Sequence, residues 1–398
     1  MKNVLTIGAF NDPNVSEENY KMCADSGINF IVMNRGRTTE KTLEALSYAE
    51  KFGLKCIVNI HENPHLLECK ELLNYKSFIG FHVYDEPIVD DYEKIKAQIE
   101  PLAEKFGEDK LFFVNLYPDQ WDQNTSKLHA KDYPDYVDRY CKEILLNVKG
   151  KRVLSVDSYP LMYAYDGSGR DVLDGRHLEI YELFAEKARE YNAEFHIYLQ
   201  TMSYGKFHRR PTIEDMYFQF FTAFAYGAKS MTHFCYYTPG GTCEDFLTTD
   251  YAMVYKSDKP TEIYYFVKKV NAEMQQFADL VLESTWVQTA FIEGNTSFDE
   301  YEGKNYLRHR TDKVNGISSI TAEYEAIVGE LDYNDDKMYI AVNFTNPCHK
   351  KKNTIKMSFT SWEKAIIHSI KGNKEVLLNN GLLEYTLDIG EGIFITRG

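Results

Sequence analysis

GINFIVMN at residues 27–34 and GLKCIVNI at residues 53–60 share one grammar. A glycine stands where a helix stops, because the residue past a helix end takes a left-handed backbone that glycine reaches without strain. A short apolar run follows, too brief for a helix, as in a strand buried on both faces. An asparagine then closes or nearly closes the run. Similar runs occur at residues 4–10, 30–34, 55–60, 79–84, 111–117, 152–159, 194–202 and 229–237, each followed by a stretch with helical periodicity. Helix punctuation supports this reading. Ser16-Glu17-Glu18 opens the first helix and Gly27 closes it, Thr39-Glu40 opens the second and Gly53 ends it, and Thr212 and Gly227 bracket the seventh.

Eight strand–helix units imply a parallel sheet with helical crossovers. Their number and combined length predict a closed (β/α)8 barrel over residues 1–281. An open doubly wound sheet would carry a glycine-rich phosphate loop after its first strand, and GAFNDPN at residues 8–14 is not one. From residue 282 the pattern changes to alternating strands without helices: YEAIVGELDY, KMYIAVNF, NTIKMSF, KAIIHSI, LLEYTLDI and GIFITRG. Turn signals at Tyr333-Asn334-Asp335-Asp336, Gly372-Asn373 and Asn380-Gly381 separate them, so residues 282–398 are expected to form an antiparallel β-sandwich.

Bulk properties narrow the function. A net charge of −15, with no basic cluster beyond Lys350 to Lys352, argues against a nucleic-acid surface. No run of 18 apolar residues is present, so no membrane span is expected. The seven cysteines are scattered singly, without CxxC or HxxxH pairings, and signal neither a zinc site nor a disulfide framework. The opening MKNVLTIGAF lacks the features of a secretory leader, and the expected compartment is the cytoplasm. Thirty tyrosines against three tryptophans suit a polyhydroxy ligand, although codon usage in an AT-rich genome produces the same bias.

Chemistry in such a barrel sits where the C-terminal ends of the strands converge. The residues there are Asn34-Arg35, His61-Glu62-Asn63, Asp85-Glu86-Pro87, Asn115 and Tyr117, Asp157 and Tyr159, Gln200, and Tyr236-Tyr237. Within GFHVYDEP, residues 80–87, a strand runs into two adjacent carboxyls, and Pro87 is expected to hold Glu86 extended. The plainer alternative is that Asp85-Glu86 simply opens the next helix, where acids suit the dipole.

A fourth strand ending in a carboxylic acid before proline resembles the (β/α)8 glycoside hydrolases, in which an Asn-Glu-Pro stretch commonly carries the acid/base. GAKSMTHFCYYTP at 227–239 and MVYKSDKPTEIYYFVKKVNAEM at 253–274 are similar to the eighth strand and final helix of bacterial members. MYIAVNFTN and the closing DIGEGIFI resemble their C-terminal sandwich. The resemblance implies a glycosidase with Glu86 as proton donor, an oligosaccharide or glycoside substrate, and no metal or organic cofactor.

The sequence also departs from that pattern. Gln200 stands where retaining members place a nucleophilic Glu, and Asp85 stands where Asn is usual. Asp157, Glu62 and Asp85 are the candidates for the second role. Adjacent Asp-Glu on strand four resembles the substrate-assisted hexosaminidases, which implies that Asp85 orients a 2-acetamido group while Glu86 protonates the leaving oxygen. Tyr117, Tyr159 or Tyr237 would hold the acetamido oxygen. The competing pair is Glu86 with Asp157, acting on plain hexosides.

His61, Asn115, Gln200, His233 and Tyr236 are expected to contact the sugar, and Trp121 to offer a platform. Arg209-Arg210 either pair with Asp85 or Asp157 or are solvated. Two readings of other classes remain: a barrel that captures glycans without turnover, and a metal-dependent barrel enzyme ligated by His61, Glu86, Asp157 and His233.

Overall fold

A computed structural model describes residues 3–118, 125–239, 252–296, 301–302 and 311–398. Eight parallel strands close into a barrel in which each pairs with its neighbours in sequence. They are β1 (Thr6–Phe10), β2 (Phe30–Met33), β3 (Lys55–Asn59), β4 (Phe78–Asp85), β5 (Leu111–Leu116), β6 (Val153–Asp157), β7 (Glu194–Gln200) and β8 (Ser230–Phe234). The helices around them are α1 (Glu17–Asp25), α2 (Thr39–Lys51), α3 (Tyr92–Phe106), α4 (Tyr133–Glu143), α5 (His177–Glu190), α6 (Ile213–Ala225) and α7 (Glu262–Met274). Their caps follow the sequence signals. Ser16 accepts from the backbone of Asn19, and Thr212 and Asp215 form a reciprocal capping box.

One crossover differs from expectation. After β3 the chain makes two 3-10 turns, Pro64–Glu68 and Lys70–Asn74, in place of an α-helix. A 3-10 turn rises about 2.0 Å per residue against about 1.5 Å for an α-helix, so the short segment before β4 can run back along the barrel.

The C-terminal part is a sandwich of two antiparallel sheets. The strands are β9 (Thr285–Ile292), β10 (Ile317–Ala322), β11 (Ala326–Tyr333), β12 (Asp336–Asn343), β13 (Asn353–Phe359), β14 (Lys364–Ser369), β15 (Gly372–Leu377), β16 (Leu382–Leu387) and β17 (Gly392–Arg397). The larger sheet has the order β9-β11-β12-β17-β14-β15 and the smaller the order β10-β13-β16. Strands β9, β10 and β15 were not anticipated, and Gly372-Asn373 begins β15 rather than lying in the turn. Val328, Tyr339, Met357, Trp362 and Ile393 fill the space between the sheets.

The other face of the larger sheet packs on the barrel. Phe394 meets Phe221 and Phe224 of α6 and stacks on Phe277 at 4.8 Å. Gly329 lies so close to α6 that a Cβ there would sit 2.3 Å from the carbonyl oxygen of Ala225. Sheet and helix therefore touch backbone to backbone. No helix among the described residues is long and apolar enough to cross a membrane.

Candidate active site

Strand β4 is irregular where the sequence places the two carboxyls. Its pairing with β3 slips between Cys56 and Ile57, and its pairing with β5 slips between His82 and Tyr84. In a regular strand adjacent side chains point to opposite faces, so His82, Tyr84 and Glu86 would share one face and Val83 and Asp85 the other. The bulge at Val83 resets that alternation. His82 lies inside the barrel, edge-on to Phe10 and Phe113, and Asp85 pairs in register with Asn115. The expectation that Pro87 keeps Glu86 extended is not met: Glu86 has φ +49°, and its backbone N–H donates to the carbonyl of Asn115 at 2.8 Å. Bulge and left-handed turn together bring consecutive carboxyls to one cavity of about 640 Å³, a size that suits a small ligand.

Asn115 sits at the centre of this site. Its Nδ2 donates to Asp157 Oδ1 at 2.9 Å and lies 3.4 Å from Asp85 Oδ1, while Ser155 Oγ donates to its Oδ1 at 2.8 Å. Asp157 is buried, and Tyr159 also donates to it. Burial, and then the charge of Asp85, push the Asp157 carboxyl up, whereas the bonds from Asn115 and Tyr159 pull it back down. Glu86 is exposed to the cavity, with protein surrounding its carboxyl on the other sides. Desolvation comes first, followed by repulsion from Asp157 and from Asp85, and its carboxyl is pushed well above the usual range. The donors that stabilise an anion converge on Asp157, so of the two carboxyls Glu86 holds its proton to the higher pH. Glu86 is thus the protonated acid of the site at neutral pH, beside an Asp157 carboxyl that burial and Asp85 raise to about 7. Below them, Asn59 Nδ2 meets His82 Nδ1 at 3.3 Å, and His82 Nε2 lies 3.9 Å from Asp85.

The structure gathers seven of the strand-end residues in this cavity: Asn34, Asp85, Glu86, Asn115, Tyr117, Asp157 and Tyr159. The hydroxyls of Tyr117 and Tyr159 are held neutral by desolvation and by the nearby carboxylates.

The remaining expected residues lie elsewhere. Gln200 is fully buried and its Nε2 serves the carbonyls of Leu161, Met202 and Arg209, so it ties two loops together and does not face substrate. His233 points outward into the helix layer, bonded to Asn271 and edge-on to Phe220. Tyr236 is buried in the main core. The Tyr237 hydroxyl is engaged by Asn14 and by the carbonyl of Lys256, and Arg35 covers its ring. His61 and Glu62 are exposed beside each other outside the cavity. Arg209 does not reach the carboxylates, because it forms a buried pair with Asp215, and Arg210 lies 3.4 Å from Glu262. Trp121 falls outside the described residues. The four residues considered as metal ligands do not converge, and no group of three or more such side chains among the described residues could hold an ion.

Sequence reasoning missed an aromatic wall made of Phe10, Tyr198, Tyr204, His208 and Phe234. Tyr204 and His208 close a turn at Gly205 and stack at 4.1 Å with 9° between their planes. Burial drives His208 down to about 4, so it is neutral. The signal for Tyr198 was parity: it stands two residues before Gln200 and so shares its face of β7.

Fold and cavity together define a (β/α)8 barrel with a C-terminal sandwich and a carboxylate-lined mouth. No protein-family model matches the sequence, and no curated protein matches it. Solved structures do match in fold. A family 39 glycoside hydrolase from the gut symbiont Bacteroides cellulosilyticus WH2 is 10% identical with TM-score 0.53, covering 100% of this chain and 81% of its own. A candidate alpha-galactosidase from Bacteroides fragilis NCTC 9343 is 11% identical with TM-score 0.52, covering 99% and 79%. The beta-galactosidase of the psychrophilic Marinomonas ef1 is 12% identical with TM-score 0.50, covering 70% and 60%. At these identities the likeness is one of fold.

Proposed function

We propose that the protein is a glycoside hydrolase that uses Glu86 as its general acid/base on 2-acetamido-hexosides, with Asp85 orienting the acetamido group. The observation that carries this reading is that two carboxyls adjacent in sequence line one cavity, an outcome that needs both the bulge at Val83 and the left-handed Glu86. In this scheme the acetamido oxygen attacks the anomeric carbon as the bond to the leaving oxygen breaks, and Glu86 gives that oxygen its proton. Water then opens the cyclic intermediate, returning its proton to Glu86, and the configuration is retained. Asp85 stabilises the positive charge that develops on the acetamido nitrogen. Asp157 keeps Glu86 protonated, and Tyr117 donates to the acetamido oxygen, the Tyr159 proton being given to Asp157. No carboxylate on β7 is needed, in keeping with Gln200 being occupied elsewhere. We assign catalysis to residues 1–281 and the bracing of α6 to residues 282–398.

One observation favours a second reading: Asp157 is the strongest charged neighbour of Glu86 and lines the same cavity. Asp157 would then be the nucleophile or base on plain hexosides. A panel of nitrophenyl glycosides, with and without the 2-acetamido group, separates the two. Turnover confined to the 2-acetamido members, inhibited by a methylthiazoline analogue of the cyclic intermediate and lost in Asp85→Asn, fits the first. Turnover of plain hexosides that is lost in Asp157→Asn refutes it in favour of the second.

A further inference from the structure

Exposed aromatic rings are common singly, but two in contact at the lip of a deep cavity mark a binding surface. Tyr165 and Phe207 are 40% and 37% exposed, and both line the mouth. Their ring centroids are 4.1 Å apart at 73°. Tyr165 follows the strand Leu161–Tyr163 in the loop after β6, and Phe207 lies in the loop after β7. The two loops are laced together: Met162 bridges to His208, and Tyr163 N–H donates to the carbonyl of Phe207 at 2.6 Å. The rings are therefore displayed on paired backbone, over the ends of β6 and β7.

Lys206, next to Phe207, is exposed and is the one cation among the described residues that line the cavity. It makes no ion pair with any described residue, although Asp85, Asp157 and Asp174 line the same space. An anionic ligand group is repelled from the carboxylate floor, so the lip is where such a group can be held.

We propose that the lip formed by Tyr165, Phe207 and Lys206 is a second sugar subsite that takes an acidic unit of the substrate, with a sugar ring stacked on the face of one aromatic and edged by the other, and its anionic group at the ammonium of Lys206. The substrate class is then a 2-acetamido-hexose joined to an acidic sugar, which rests on the glycosidase reading for the identity of the first unit but not for the lip itself. A uronate carboxylate and a sulfate ester present the same chemistry to Lys206.

Calorimetric binding to the Glu86→Gln protein tests the lip without turnover. The probes are chitotetraose, which is neutral, a hyaluronan tetrasaccharide, which carries uronates, and a keratan sulfate tetrasaccharide, which carries sulfates. Either anionic probe should bind about fivefold more tightly than chitotetraose at low salt, the preference fading as salt is raised, and the probe that does so names the anion. Lys206→Glu should abolish the preference and leave chitotetraose unchanged, and Tyr165→Ala/Phe207→Ala should weaken the favoured probe about tenfold. Equal affinity for all three probes, no binding of any, or a preference that survives Lys206→Glu overturns the proposal. Hydrolysis of nitrophenyl 2-acetamido glycosides is followed separately in the otherwise wild-type Lys206→Glu protein. If these are not hydrolysed even by the wild type, the 2-acetamido reading fails while the binding result still decides the lip.

Discussion

Replacing Asn115 with alanine should slow the reaction and narrow its pH range from the acid side. In the folded protein Asn115 Nδ2 donates to Asp157 at 2.9 Å, and burial leaves that carboxylate few other donors. A hydrogen bond to a charged group contributes about 1.5–3 kcal/mol, which at about 1.36 kcal/mol per decade corresponds to roughly 10- to 150-fold. Tyr159 still donates to Asp157, so a fall in kcat/KM of about 10- to 100-fold is expected. The sign of the pH effect follows from the protonation state. In the proposed mechanism the active form has Asp157 ionised and Glu86 protonated. Asn115 lowers the Asp157 pKa, so its loss raises it, and the acid limb of the kcat/KM profile moves to higher pH. The alkaline limb belongs to Glu86 and should move less. The assay is the pH–rate profile on whichever nitrophenyl glycoside the wild type prefers, with Ser155→Ala as a milder control that removes only the bond to Asn115 Oδ1. A kcat/KM within about threefold of wild type, with an unmoved acid limb, would refute the placement of Asn115 as the group that keeps Asp157 ionised.

Other outcomes follow from the same geometry. Glu86→Gln should reduce kcat by about 10²- to 10⁴-fold, less with a nitrophenyl leaving group than with a sugar, because a good leaving group needs little protonation; equal losses on both would remove Glu86 from the acid role. The same substitution should raise the melting temperature at pH 8 more than at pH 4. A carboxyl with a raised folded pKa contributes its full stability below the unfolded value and loses it as pH climbs toward the folded one, and glutamine escapes that loss; melting curves at the two pH values check it. Gln200→Glu should destabilise the fold by about 2–4 kcal/mol and restore no nucleophile, since a carboxylate cannot donate to the three carbonyls that Gln200 now serves; urea unfolding together with activity on plain hexosides reads both. Arg209→Leu should cost about 3–5 kcal/mol by leaving Asp215 a buried charge without its cation, and the double variant Arg209→Leu/Asp215→Leu should recover much of that in urea unfolding.

The barrel was legible because its signals are local. Gly27, Gly53 and Gly227 occupy left-handed positions at helix ends, and each precedes a strand. The third crossover was not legible, because the same residues can form one α-turn more or one 3-10 turn less depending on the distance to be spanned. The site divided along a similar line. Of the strand-end carboxylates, Asp85, Glu86 and Asp157 line the cavity, whereas Glu62, equally polar and equally placed after an apolar run, lies outside it. Which strand-end residues face inward depends on register, and a single bulge inverts every later assignment on its strand. His233 pairs in register with Ala9 and points outward, whereas Phe234, its neighbour, lines the cavity. Choosing the hydrogen-bonding residue of each strand end therefore put His233 and Tyr236 in the site and left Phe234 and Tyr198 out of it. Gln200 shows a further limit. It occupies the position where a nucleophile was sought, yet the chain uses its amide, with donor and acceptor on one side chain, to hold the backbones of the two loops that carry Tyr165 and Phe207. A carboxylate there could accept from the N–H of Leu161 but could not donate to the carbonyl of Arg209, so the absence of an acid on strand seven and the tie between the two loops are two consequences of one residue.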